Sequence, residues 1–216
     1  MKPIVQIAID TTSITDALRM ADAAVKAGAD WLEVGNPLIK FEGVHAIAAL
    51  SKRYPDQYLI VDYMILAGAQ KYIQAAKERG AQNVTVCGLV PDYSIQNAID
   101  EARALQMHVT IDLFNCSDPV ESARKFASMG ADYVMVHYGV DQKKQFPNGS
   151  PISVLEQVVK AVSIPVAYAT YDANESIAAV QAGASIIVQG EPLISGPHAE
   201  EELRAFIYKT KHSVLE

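Results

Sequence analysis

Acidic side chains and one histidine stand at the ends of several short apolar segments of the 216-residue sequence. Asp10, Glu33, Asp62 and Asp112 each follow or interrupt a run of aliphatic residues, and His137 ends a fifth run. Carboxylates brought close together cannot all stay ionised unless protons or a cation compensate their charge. Because hard cations prefer oxygen ligands, we predict magnesium or a similar ion here, with the imidazole available as a general acid or base.

Each of these residues also has a purely structural explanation. Asp10 precedes a helical pattern and could cap the helix, Asp112 could serve only as an internal hydrogen-bond partner, and His137 could be a satisfied core histidine. Glu33 and Asp62 are harder to explain in this way, because a charge without a role is costly to bury among apolar neighbours. Of these residues, Glu33 and Asp62 are therefore the first candidates for a functional role.

Eight segments rich in β-branched residues must position these groups. They alternate with amphipathic segments whose apolar residues recur at i, i+3 and i+4, as in helices that pack on a sheet. Near-continuous apolar strands separated by helices are typical of a parallel sheet covered on both faces. Eight such units predict a single (β/α)8 TIM barrel over residues 1–216, with strands at 4–10, 31–36, 58–64, 83–89, 108–114, 133–139, 164–170 and 185–190.

An internal repeat favours this barrel over a doubly wound open sheet. Gly28, Gly80, Gly130 and Gly183 each end a helical pattern and precede a strand by a few residues. They recur about every 50 residues, which is the length of two strand–helix units. Glycine is the usual residue where a helix ends in a left-handed turn, so each repeat marks the entry to an even-numbered strand.

Composition excludes several classes of function. Half of the residues are hydrophobic and the net charge is -7, which argues against binding to nucleic acid or to an anionic membrane. No apolar run reaches the roughly 18 residues of a membrane span. The two cysteines, Cys87 and Cys116, lack metal-ligand spacing and no signal peptide precedes the chain, so we expect a soluble protein of the reducing cytoplasm.

The barrel architecture predicts which residues form the active site. Active sites of such barrels lie at the C-terminal ends of the strands, which adds Thr170 and Gln189 from the last two strands. We expect the turn at residues 141–151 to be a mobile active-site loop, in which Lys143 and Lys144 could supply positive charge.

Five segments resemble a known enzyme family: VQIAIDTTSITDALRMADAA, DWLEVGNPLIKFEGVHAI, YLIVDYMILAGA, VTIDLF and YVMVHYGVDQKK. They are similar to 3-hexulose-6-phosphate synthase, with 3-keto-L-gulonate-6-phosphate decarboxylase as a near relative. Both belong to the orotidine 5'-monophosphate decarboxylase suprafamily. The resemblance runs from about residue 3 to residue 205, and it is closer to the synthase, because the decarboxylase typically carries Arg where this chain has Gly139.

The resemblance implies a homodimer of barrels that uses Mg²⁺ to stabilise an enediolate on a ketose phosphate. It assigns Glu33 and Asp62 to the magnesium ion, Asp10 to substrate contact and His137 to proton transfer. The synthase joins formaldehyde to ribulose 5-phosphate, so a carbon–carbon lyase is the expected activity. The expected catalytic residues are His137, Asp62 and Asp10, and the expected substrate-binding residues are Asp10, Asp112, Thr170, Tyr171, Gln189 and Gly190.

The third strand departs from the family pattern. The suprafamily motif reads Asp-x-Lys-x-x-Asp, and only its first residue survives here, as Asp62. Met64 replaces the Lys, and Ala67 replaces the second Asp, which the family lends to the neighbouring subunit's site. Loss of one positioned acid–base group typically costs about a hundredfold to ten-thousandfold in rate.

The expected phosphate site departs as well. In the family the seventh strand ends in a Gly-Gly pair, which Thr170 and Tyr171 replace here, and Gly190 remains at the end of the eighth strand. Glu191 follows it and places a negative charge where a phosphate would be repelled. The substrate is therefore expected to lack the phosphate or to place it differently.

Three hypotheses follow. The first is a magnesium-dependent lyase of the synthase type. The second is a diverged enzyme on the same scaffold that acts on a different sugar or sugar acid, with or without a phosphate, whose hydroxyls contact Tyr171 and Glu191. The third is a non-catalytic metabolite-binding protein. Met64 and Ala67 favour the second and third, whereas Glu33 and Asp62 favour the first two, because a binding protein has little reason to keep a metal pair.

Overall fold

Eight parallel strands form a closed barrel in chain order, with β1 paired to both β2 and β8. The computed structural model describes residues 2–145 and 149–213. The prediction of a (β/α)8 TIM barrel is confirmed. The strands are β1 Ile4–Ile9, β2 Trp31–Val34, β3 Tyr58–Ile65, β4 Asn83–Cys87, β5 His108–Asp112, β6 Tyr133–His137, β7 Val166–Thr170 and β8 Ile186–Gln189.

The helices pack around this barrel. None in the described part of the chain combines the length and the apolar character that a membrane span requires. They are α1 Ile14–Ala27, α2 Asn36–Glu42, α3 Val44–Arg53, α4 Ala69–Glu78, α5 Asp92–Ala104, α6 Pro119–Met129, α7 Val140–Gln145, α8 Ile152–Ala161, α9 Ala173–Gln181 and α10 Ala199–Lys211.

Two of these helices were not predicted from the sequence. Helix α2 begins directly after β2. Pro37 fits its first turn, because a backbone N–H at this position would have no partner within the helix. Helix α7 occupies the first part of the predicted loop at residues 141–151, so the expectation of a loop is wrong for residues 141–145. Residues 146–148 of that segment lie outside the described residues.

The glycine repeat has the predicted structural role. Gly28, Gly80, Gly130 and Gly183 have φ angles of 96°, 89°, 97° and 99°, which lie in the left-handed region. A side chain is strained in that conformation, so glycine is favoured at each of these four turns. The four turns lead into β2, β4, β6 and β8, as the spacing predicts.

The barrel interior combines an apolar cluster with buried polar pairs. Side chains alternate between the two faces of a strand, so residues two apart share the interior face. Ala8, Met135, Ala167, Ile186 and Val188 form the apolar part. Farther around the barrel the interior is polar, where the Asn83 side-chain amide donates to Thr110 Oγ1 at 2.9 Å.

Strand β3 is irregular at the end that carries the predicted metal ligand. Val61 pairs with Val84, but the next paired residue is Ile65, which pairs with Val86. β3 therefore carries extra residues relative to β4, and Met64 has a positive φ of 47°. Bulges of this kind often lie beside active sites, because they change the direction of a side chain without ending the sheet.

Candidate active site

A cavity of about 420 Å³ opens at the C-terminal ends of the strands. Four carboxylates, one imidazole and one phenol line it together with apolar side chains. The cavity lies where the barrel architecture predicts the active site. The predicted site residues that line it are Asp10, Glu33, Asp62, His137, Thr170, Tyr171 and Gly190.

Glu33 and Asp62 each have one oxygen fixed by a neighbouring strand. The Gln6 amide donates to Glu33 Oε2 at 2.9 Å, and the Thr85 hydroxyl donates to Asp62 Oδ1 at 2.6 Å. Burial and repulsion from Asp62 and Asp10 raise the pKa of Glu33 well above its ordinary value. Burial also raises the pKa of Asp62, to about 6, although the Thr85 hydroxyl opposes the shift. The two acids therefore share a site where a cation would favour ionisation of both.

Asp10 lies against a backbone position that only glycine can fill. A Cβ atom placed on Gly35 would be 2.5 Å from the Ile9 carbonyl oxygen and in collision with the Asp10 carboxylate. Burial raises the pKa of Asp10, His137 lowers it and Glu191 raises it. Asp10 thus shares the cavity with the imidazole of His137 and the carboxylate of Glu191.

His137 and Asp112 form a hydrogen-bonded dyad. His137 Nδ1 is 2.9 Å from Asp112 Oδ2, and the Phe114 backbone N–H donates to the other Asp112 oxygen at 2.9 Å. Burial alone would lower the pKa of His137, but attraction to Asp112, Asp62 and Asp10 leaves it above its ordinary value. The buried carboxylate orients the ring, and Nε2 is left as the atom for proton transfer.

Phe114 forms the cavity wall beside this dyad. Its ring centroid lies 5.4 Å from that of His137. A Cβ atom on Gly139 would be 2.5 Å from Phe114 Cε2, so the aromatic ring occupies the space that a side chain at position 139 would need. Phe114 and Gly139 therefore fit each other as a pair.

Three predicted substrate-binding residues point their polar groups elsewhere. Asp112 and Gln189 do not line the cavity; Asp112 lies behind His137, and the Gln189 amide donates to the Glu191 carbonyl oxygen at 3.1 Å. Thr170 does line it, but its hydroxyl donates to Glu175 in α9 at 3.0 Å. These three residues were predicted to contact the substrate, but their polar groups form hydrogen bonds with other protein groups.

A metal ion in this cavity would have few protein ligands. Within residues 2–145 and 149–213, no three His, Cys, Asp or Glu side chains converge closely enough to hold a metal ion. Magnesium is usually bound through one or two carboxylates and completes its shell with water and substrate oxygens. The second oxygens of Glu33 and Asp62 accept no hydrogen bond from a described residue, so this pair has oxygens to offer.

Comparison with known proteins assigns the chain to a family. The family model described as orotidine 5'-phosphate decarboxylase / HUMPS matches residues 3–206. The chain belongs to this family. A curated 3-hexulose-6-phosphate synthase from Mycobacterium gastri is 32% identical over 206 residues, which cover 94% of this chain and 98% of that protein.

Solved structures of the HUMPS family have the same fold. The 3-hexulose-6-phosphate synthase from Salmonella typhimurium superposes with a TM-score of 0.87 at 26% identity and covers 97% of this chain and 100% of its own. The 3-keto-L-gulonate-6-phosphate decarboxylase from Vibrio cholerae has a TM-score of 0.82 at 22% identity, with 97% and 99% covered, and shows the fold alone. The matched relatives of this HUMPS-family chain are enzymes, which supports an enzyme here.

Two positions on β3 and after it separate this chain from the HUMPS-family motif. Met64 lines the cavity, so an apolar thioether stands among the carboxylates. Ala67 does not line it and instead contributes to a second cavity, of about 830 Å³, beside α4. The position that the family motif gives to a second Asp thus faces away from this chain's own carboxylates.

Sequence reasoning missed several parts of the site. Phe114 and Val140 line the cavity, and the Asn36 amide donates to the Asp62 carbonyl oxygen at 2.9 Å, which ties α2 to β3. Asn36 and Phe114 each lie within two residues of a predicted site residue or strand end, so proximity to the strand ends could have found them. Val140 directly follows the predicted strand end at residue 139, so the same reasoning could have found it.

Proposed function

We propose that this chain is a lyase of the 3-hexulose-6-phosphate synthase type, which makes or breaks a carbon–carbon bond beside a ketose carbonyl. The observation that carries the proposal is the placement of the His137–Asp112 dyad and the Glu33–Asp62 pair on one cavity. A base beside two carboxylates that can hold a cation is the arrangement that enediolate chemistry requires.

Glu33 and Asp62 would hold a magnesium ion through their free oxygens. When bound, the ion would polarise the carbonyl and stabilise negative charge that develops on two adjacent substrate oxygens. Their own pKa values support this role, because burial and mutual repulsion raise both, and a cation would relieve that cost.

His137 would move the proton. Neutral imidazole Nε2 removes a proton from the carbon beside the carbonyl, and the buried Asp112 stabilises the imidazolium that forms. Asp10 would accept a hydrogen bond from a substrate hydroxyl in the same cavity. Burial raises the pKa of Tyr171 to about 12, so its phenol stays protonated and can donate to a substrate oxygen.

Met64 argues against the family's usual reaction in this chain. The family motif has a Lys at this position, and a thioether can neither donate a proton nor carry charge. We therefore expect formaldehyde-dependent consumption of ribulose 5-phosphate to be weak or absent, with a loss of about a hundredfold or more relative to the family.

Isotope exchange tests the proposed chemistry without knowledge of the second substrate. Enediolate formation replaces the proton beside the carbonyl with deuterium when a ketose is incubated with the protein and Mg²⁺ in D₂O. Loss of that proton signal in NMR spectra is the expected result. Absence of exchange with every ketose, phosphorylated or not, would contradict the lyase and favour a non-catalytic binding protein.

We also propose that the protein is a cytoplasmic homodimer that associates beside α4. Tyr72 lines the cavity that contains Ala67 and is 46% exposed. Leu66 precedes Ala67 in the sequence and is 65% exposed, and Phe41 in α2 is 72% exposed. Burial of such residues is a common source of stability in homodimers. Sedimentation velocity of the wild type and Leu66→Asp tests this, since a dimer that the substitution dissociates is expected and a wild-type monomer would contradict it.

A further inference from the structure

The positions where a barrel usually binds phosphate are filled by this chain's own carboxylates. In (β/α)8 barrels, phosphate is commonly held by the loops after strands 7 and 8 and by a helix N-terminus. After β7, Asp172 accepts a hydrogen bond from the Asn174 backbone N–H at 2.9 Å and so caps α9. Glu175 stands in the first turn of the same helix. Two negative charges thus occupy the end of α9 that would otherwise attract an anion.

Glu175 also engages the cation that could have neutralised a phosphate. Its carboxylate accepts hydrogen bonds from Lys143 Nζ at 2.9 Å, the Thr170 hydroxyl at 3.0 Å and the Tyr168 hydroxyl at 3.1 Å. Lys143 is therefore held in a largely buried ion pair outside the cavity. Lys144 is 73% exposed and lies 3.7 Å from Asp141. Neither lysine lines the cavity, so the expectation that they supply positive charge there finds no support.

The loop after β8 carries a further negative charge into the cavity. Glu191 lines the cavity directly after Gly190, and the Ser195 hydroxyl fixes its Oε2 at 2.5 Å. Its charge repels that of Asp10 and contributes to the raised pKa of Asp10, so the two acids face the same space. A phosphate at this loop would meet a positioned carboxylate rather than an open backbone turn.

The remaining lining favours an uncharged polyhydroxylated molecule. No Lys or Arg side chain lines the cavity among the described residues, and residues 1, 146–148 and 214–216 include neither residue type. Met64, Phe114, Met135 and Val188 offer apolar surface to the C–H faces of a sugar. The carboxylates can accept hydrogen bonds from hydroxyl groups, and the Tyr171 phenol can donate one.

We propose that the cavity takes an uncharged ketose without a phosphate group, whose hydroxyls bind Glu191 and Tyr171 at the position of the usual phosphate site. The inference rests on the proposed function for the reactive carbonyl, but it concerns a different part of the cavity. It assigns Glu191 as a residue that determines specificity by repelling anions.

Paired ligands test this substrate class. The wild-type protein with MgCl₂ at constant ionic strength is titrated calorimetrically with D-ribulose and D-ribulose 5-phosphate, and with D-fructose and D-fructose 6-phosphate. The uncharged member of at least one pair is expected to bind about tenfold or more tightly than its phosphate. Glu191→Gln is expected to raise the affinity for the phosphate about tenfold without improving that for the uncharged ketose. Glu201→Gln, on the exposed surface of α10, is the matched control and should change neither.

Deuterium exchange of each ligand separates failure of this inference from failure of the proposed function. Tighter binding of both phosphates by the wild type, or no binding of either uncharged ketose, would overturn the substrate class, even if a phosphate ester exchanges its proton. Tight binding of an uncharged ketose without exchange would support the substrate class and overturn the enediolate chemistry. An unchanged phosphate affinity in Glu191→Gln would overturn the role of Glu191.

Discussion

The Nδ1 atom of His137 lies 2.9 Å from Oδ2 of Asp112, and the two side chains differ sharply in their access to solvent. Asp112 is 1% exposed, whereas His137 is 21% exposed and reaches the cavity. The carboxylate can therefore orient the imidazole and stabilise its protonated form without contacting a substrate. We therefore propose that Asp112 positions His137, whereas the resemblance implied a substrate contact for Asp112.

Replacement of Asp112 by Asn should lower the pKa of His137. Attraction to the carboxylate keeps that pKa above its ordinary value, and a neutral amide removes the attraction. NMR titration of the imidazole measures the change, and deuterium exchange of a bound ketose should slow roughly a hundredfold or more. Asp141→Asn is the control, because Asp141 is fully exposed in α7. Equal His137 titration curves in the wild type and Asp112→Asn would contradict the dyad.

Glu33→Gln should stabilise the metal-free protein at pH 8. The folded-state pKa of Glu33 is raised, so the neutral form stabilises the fold at low pH and this contribution disappears as pH rises through the folded value. The amide keeps the shape and the bond from Gln6 without the buried charge. Urea unfolding should show a gain of roughly 1 to 3 kcal/mol at pH 8 that shrinks toward pH 5.

Glu201→Gln is the control for this stability change, because its side chain is 84% exposed. A less stable Glu33→Gln protein at pH 8 without metal would show that burial of the ionised Glu33 carboxylate does not destabilise the fold. Added Mg²⁺ should reduce the difference, since only the wild-type carboxylate can hold the ion.

Gly139→Ala should destabilise the protein by roughly 1 to 3 kcal/mol, because its Cβ would overlap the Phe114 ring. Phe114→Leu removes the colliding ring atoms and should recover much of that loss in the double variant. Urea unfolding of the two single variants and the double variant gives their coupling energy. Additive effects would show that Phe114 does not define the space at position 139.

The barrel could be predicted from the sequence, and the orientation of some side chains could not. The glycine repeat at Gly28 and Gly130 fixes the number of strand–helix units, and Asp10 and His137 lie at strand ends that the architecture identifies. Gln189 lies at a strand end too. Because parallel strands are apolar on both faces, the sequence does not show which residues face the barrel interior. Val188 faces the interior, and the adjacent Gln189 does not.

Sequence patterns could not predict the bulge in β3 either. Residues 58–65 read as one regular strand, but Ile65 pairs two positions later than a regular ladder would place it. The positive φ of Met64 accompanies a bond from its backbone N–H to Thr85 Oγ1 at 2.9 Å. This contact joins residues far apart in the sequence, so only the folded barrel determines it.

Magnesium affinity should fall as pH decreases through about 6. The pKa of Asp62 is about 6 without metal, and protons compete with the ion for its carboxylate below that value. The Thr85 hydroxyl lowers this pKa, so Thr85→Val should move the midpoint of the affinity curve to higher pH. Thr85→Ser keeps the hydroxyl and serves as the control. A midpoint that does not move, or that moves to lower pH, would contradict the assigned hydrogen bond.

Titration calorimetry with Mg²⁺ tests most directly whether the paired carboxylates of Glu33 and Asp62 form the metal site on which the proposed chemistry depends. The wild type at pH 8 should release or absorb heat that saturates at one ion per chain, and Asp62→Ala should abolish the signal. Asp141→Ala, which removes a fully exposed acid, should behave as the wild type. No saturable heat in the wild type, or equal heats in the wild type and Asp62→Ala, would contradict a metal site formed by Glu33 and Asp62.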